Sequence, residues 1–146
     1  MSSKQIEKEN PKYLNPEIPV EERIDDLLPR LSLEEKFSLL TGHTGFSTAP
    51  IARLGVPEFG MTDGPHGVSH HSAFKTENTY FPAAIGLAAS WNRDLAREYG
   101  EALAEETRAV GRHCILAPGI NIHRPPLCGR NFEYFTEDPH LNGEMV

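Results

Sequence analysis

The order of the elements along the chain limits its fold more than any other feature. A short apolar strand candidate at 59–62 runs into Asp63-Gly64-Pro65, a turn by composition. Residues 92–110 then place Leu95, Tyr99, Ala102, Leu103 and Val110 at helical spacing over an acidic outer face, with Asn92 as cap and Gly111 as stop. A second strand candidate, 114–117, leads into PGINIHRPPLCGRN, and residues 139–144 look like the first turn of another helix. Strand, loop, helix, strand, loop, helix is an α/β order that predicts parallel strands. In such folds the loops beyond the strand C-termini converge on one mouth. Asp63 and His66 after the first strand therefore share an address with Asn121, His123, Arg124, Arg130 and Glu133 after the second.

The N-terminal stretch reads differently. Residues 1–30 are charged and interrupted by Pro11, Pro16, Pro19 and Pro29, which predicts an extended arm ahead of a domain at 31–146. Ser32 and Glu35 make a capping box in front of Leu33, Phe37, Leu39 and Leu40, a helix expected to stop at Gly42, with loop from there to Pro57. The formal charge is −7 and no Lys/Arg run is present, which excludes a nucleic-acid or anionic-membrane partner. No stretch approaches the roughly eighteen apolar residues of a membrane helix, the first sixteen residues lack a signal-type apolar region, and Cys114 and Cys128 build no disulfide framework. The expected location is the cytoplasm.

Several residues carry two readings. Asp63 is either a turn residue or a ligand-binding carboxylate, and Arg130 either a surface ion-pair partner of Glu133 or Glu137 or a ligand-binding cation. Phe132, Tyr134 and Phe135 read as core packing, with Tyr134 the alternative stacking platform, and Trp91 reads as packing beside the helix cap. His66, His70 and His71 form a cluster, and His113-Cys114 and His123 with Cys128 offer soft ligands, but none has zinc spacing. No metal or cofactor is expected.

Three blocks carry a resemblance: MTDGPHGV at 61–68, FPAAIGLAASWN at 81–92 and LAPGINIHRPPLCGRNFEYFTEDPHLNGEM at 116–145. Over about 30–146 the chain resembles the N-terminal barrel domain of glycoside hydrolase family 3 β-glucosidases. The resemblance implies the N-terminal portion of a (β/α)8 TIM-type barrel, incomplete in this chain. It implies that Asp63 grips hydroxyls of a glucosyl unit, that Arg130 joins it from the next loop with Glu133 orienting it, and that Asn121 and Arg124 form pocket wall. The residue types suit those roles, since a carboxylate accepts from two adjacent hydroxyls and a guanidinium donates in a fixed plane. Ser69 stands where many members carry an arginine. Retaining enzymes of this kind need two carboxyls about 5 Å apart. The family's Ser/Thr-Asp-Trp nucleophile segment and its Lys-His pair are absent from these residues. A closed barrel takes about 250 residues. The expectation is β-glucoside hydrolysis by a complete enzyme, this chain supplying part of the glucosyl subsite, needing the rest of the barrel as partner and lacking catalytic residues of its own. The alternative is a non-catalytic carbohydrate-binding or scaffold fragment.

Overall fold

A computed structural model of the protein describes residues 11–69 and 77–146. His70, His71 and the first ten residues of the expected arm lie outside the described residues.

Within residues 11–30 short helical segments form where an extended path was expected. A 3-10 turn, Lys12–Leu14, is followed by α1 (Val20–Leu27) and a second 3-10 turn, Leu28–Arg30. The prolines explain the misreading. Pro11 and Pro19 stand immediately before a helix and Pro29 lies in a first turn, positions where the missing N–H costs nothing. Tyr13 anchors the segment: it is buried, its hydroxyl donates to the Leu54 carbonyl at 2.6 Å, and its carbonyl accepts from Arg23 Nε at 3.0 Å.

The capping box forms as expected. Ser32 Oγ accepts from the Glu35 amide at 3.2 Å, and Glu35 Oε2 accepts from the Ser32 amide at 2.8 Å, starting α2 (Leu33–Leu40). Thr41 ends the helix, and Gly42 instead opens β1 (Gly42–Thr44), which pairs antiparallel with β2 (Ser47–Thr48) where loop was expected. These strands are too short to show alternation. Their turn is closed by Thr44 Oγ1 and Ser47 Oγ at 2.8 Å.

The predicted parallel pair is present. β3 (Met61–Asp63) starts later than expected; Gly60, one residue back in the same register, donates its amide to His113 Nδ1 and accepts from the His113 amide, each at 2.9 Å. The chain then passes through α3 (Ala84–Ala88) and α4 (Arg93–Ala109) to β4 (Cys114–Leu116), with Met61, Thr62 and Asp63 in parallel register to Cys114, Ile115 and Leu116. The long helix fits its expected bounds, Asn92 Oδ1 accepting from Asp94 and Leu95 amides at 3.0 and 3.1 Å, and Gly111 leaving it at φ 70. A final helix, α5 (Pro139–Met145), is capped by Asp138.

The main core joins α3 to the C-terminal part: Ala84, Leu87 and Ala88 meet Phe135 and Met145, with Ala96, Tyr99 and Leu141 against them. α3 escaped the sequence reading because it is short and carries no capping side chain. Small residues let it sit at the centre. Other apolar faces lack cover among the described residues. Leu33 and Phe37 are exposed, Leu40 is 85% exposed and Leu127 96%. Trp91, expected to pack, is 73% exposed at φ 53, and of the aromatic run only Phe135 joins the core.

Candidate functional site

Asp63 is the last residue of β3, and the loop behind it closes into a ring. The Ser69 amide donates to the Asp63 carbonyl at 2.8 Å and the Gly67 amide to the Gly64 carbonyl at 3.2 Å. Gly64 at φ 151 and Gly67 at φ 127 adopt backbone that only glycine takes without strain. Neighbouring elements hold this ring. The Tyr99 hydroxyl of α4 donates to the Pro65 carbonyl, Asn78 Nδ2 donates to the Val68 carbonyl, and the Phe81 amide donates to the His66 carbonyl at 2.7 Å. Glu106, also on α4, accepts from the Thr79 amide with both carboxylate oxygens at 3.2 Å.

The ring floors an open pocket of about 440 Å³ whose wall includes Asp63, His66, Ser69, Tyr80, Phe132 and Glu133. Among the described residues no hydrogen bond or ion pair occupies the Asp63 carboxylate. A purely structural aspartate in Asp-Gly-Pro earns its place by bonding a nearby backbone amide. This one does not.

The loop after β4 doubles back on itself. Gly119 bridges Tyr134, the His123 amide donates to the Thr136 carbonyl at 3.2 Å, and Asn131 Nδ2 donates to the Pro125 carbonyl at 3.0 Å. A 3-10 turn at its tip, Asn131–Glu133, delivers Phe132 and Glu133 to the pocket. Arg130, 73% exposed at the side chain, sits just before that turn, its Nε bonded to Glu133 Oε1 and its guanidinium 5.9 Å above the Tyr134 ring. The Glu133 carboxylate pushes the Arg130 pKa up, so the cation is firmly charged. Glu133, not Glu137, is its partner. Tyr134 thus lies against Arg130 rather than in the core.

The structure brings Asp63 and Glu133 into one wall and ties Arg130 to it through Glu133. Asn121 and Arg124 are exposed and outside that lining. Sequence reasoning missed Asn78, Thr79 and Tyr80, which come from a loop without periodicity; adjacency to the FPAAIG block was the one available signal. The histidines have local partners: His113 Nδ1 accepts from Gly60, and His123 Nε2 lies 3.1 Å from the Tyr134 carbonyl. Among the described residues no group of three His, Cys, Asp or Glu side chains could hold a metal.

Tyr99 gives the ring's tether a measurable signature. Burial, then the nearby Tyr80, pushes its pKa from 10.0 up to about 12. Between those values the folded state keeps a proton that the unfolded chain releases, so the associated stability is complete below pH 10 and is lost as pH rises towards 12. Thermal melts should therefore show the midpoint falling across this window, and the Tyr99→Phe variant should show a shallower fall. The same variant loses about 1 kcal/mol at neutral pH from the missing bond to Pro65.

The pattern of the glycosyl hydrolase family 3 N terminal domain matches residues 32–146. The chain belongs to that family. A β-glucosidase of Bacteroides ovatus is 43% identical over 97% of this chain and 20% of its own length. The thermostable β-glucosidase B of Acetivibrio thermocellus is 45% identical over 84% of this chain and 17% of its own. Among solved structures, β-glucosidase 3B of Thermotoga neapolitana in complex with α-D-glucose superposes with a TM-score of 0.76 at 41% identity, covering 84% of this chain and 20% of that one. The Kluyveromyces marxianus β-glucosidase in complex with glucose gives 0.79 at 39%, covering 84% and 15%. This family 3 chain thus spans about a fifth or less of the length of the relatives cited, and the resemblance drawn from the three sequence blocks holds.

Proposed function

We propose that these residues form the front section of a (β/α)8 barrel in a retaining β-glucosidase-like enzyme and supply part of its glucosyl subsite. The observation that carries this reading is the Asp63 carboxylate, which has no partner among the described residues and lines a pocket that also holds Glu133, at the C-terminal end of a parallel strand. In the reading, Asp63 accepts from two sugar hydroxyls, Arg130 donates to a third, Glu133 fixes the guanidinium plane, and Asn121 and Arg124 border the site. Glycosyl transfer with retention needs a nucleophilic carboxylate and an acid/base carboxyl on either side of the scissile bond. Residues beyond this stretch supply both. The exposed apolar face of α2 and the exposed Leu127 fit a chain whose neighbours belong to the same barrel. The substrate class is β-linked glucosides and related saccharides, and the compartment is the cytoplasm.

Chromogenic assay separates this from its rivals. The purified 146-residue chain should release no nitrophenol from a nitrophenyl β-glucoside, whereas the complete enzyme that carries these residues should turn it over. Steady turnover by the short chain, lost in Asp63→Ala, would place the catalytic carboxylates within these residues and defeat the proposal.

A further inference from the structure

His66 is buried to 7% exposure in the floor of the pocket, yet the binding roles above leave it unused. Three sets of contacts converge on it. Its Nε2 accepts from the Ala84 amide at 3.3 Å. That amide opens α3, whose N-cap is Ala83 and which has no side-chain cap of its own, so a donor that would otherwise be orphaned is satisfied from across the pocket. Its carbonyl accepts from the Phe81 amide at 2.7 Å, three residues upstream on the same segment. Its ring lies 5.6 Å from Phe132, tilted 39°, and 6.0 Å from Tyr80, tilted 59°, both within aromatic contact range. One side chain thus touches the segments that bring Asp63, Tyr80 and Glu133 to the pocket.

We infer that His66 is a positioning residue: its imidazole locks the Asp63 loop to the start of α3 and to the Asn131–Glu133 turn, holding Asp63 and Glu133 at a fixed separation. The lock needs an acceptor at Nε2, which requires the ring to carry its proton on Nδ1. Packing alone would need only an aromatic ring of similar size. The two roles separate chemically, because glutamine keeps an acceptor and loses the ring, while phenylalanine keeps the ring and loses the acceptor. The inference rests on the glucosyl reading only for its ligand; the lock itself concerns backbone groups.

The test uses the full-length protein carrying these residues, with glucose as probe and amide hydrogen exchange as a ligand-free readout. In His66→Phe the Ala84 amide should exchange at least tenfold faster relative to the α4 amides, and glucose Kd should weaken about tenfold, the effect of one lost hydrogen bond. In His66→Gln both should stay within about threefold of wild type, even if both variants lower Tm alike. Wild-type Ala84 protection and glucose affinity in His66→Phe would overturn the inference. Equal losses in both single variants would overturn it too, since the ring and not the acceptor would then matter. If wild type binds no glucose while the exchange pattern appears, the lock stands and the glucosyl reading falls.

Discussion

Asp63→Asn in the complete enzyme should lower kcat/KM for a nitrophenyl β-glucoside, and the affinity for glucose, by about a hundredfold, while Tm stays almost unchanged. The binding loss follows from the chemistry of the pair: a hydrogen bond to a charged group contributes about 1.5–3 kcal/mol, and an amide in place of the carboxylate turns one acceptor into a donor facing a hydroxyl. Each 1.4 kcal/mol is a factor of about ten. The unchanged Tm follows from the structure, in which no protein group among the described residues bonds that carboxylate. The opposite pattern, lost stability with intact binding, belongs to a turn residue. Steady-state kinetics with thermal melts on the same preparations distinguishes the two.

Gly67→Ala should have the largest effect on folding. Its φ of 127 lies where L side chains are strained, and a methyl group there would come closer than 3.0 Å to the Thr79 carbonyl, a backbone atom that cannot step aside. Strain of this kind costs on the order of 1–3 kcal/mol before the clash is added. A loss of about 3 kcal/mol or more lowers Tm by roughly 6 °C or more in a domain of barrel size. Gly86→Ala is the matched control. It lies inside α3 with nothing within 4 Å of the added methyl, and alanine there should be neutral or stabilising by up to about 1 kcal/mol. Calorimetric melts of the two variants check both, and a Gly67→Ala protein melting with wild type would mean the ring behind β3 is looser than drawn.

What could be read in advance follows how local its cause is. The capping box at Ser32 and Glu35 and the Asn92 cap are settled within three residues of chain, and both formed as expected. The parallel β3–β4 pair was legible because the elements between strands leave few other connections. α1 was misread because prolines interrupt a pattern but equally suit helix starts. Trp91 was expected to pack because it stands beside the Asn92 helix cap, but the chain turns it outward at φ 53 and leaves it 73% exposed. The Arg130–Glu133 pair was within reach, being three residues apart on one turn. Tyr80 and the His66–Ala84 bond were not. Both depend on residues brought together across the pocket, which no local pattern encodes.

The most direct test of the central claim is a crystal structure of the complete protein grown with glucose. The account predicts the sugar in the pocket behind β3, with hydroxyl oxygens about 2.5–3.2 Å from the Asp63 carboxylate and the Arg130 guanidinium. Glucose ordered elsewhere, or seated there with Asp63 and Arg130 out of hydrogen-bond reach, contradicts it.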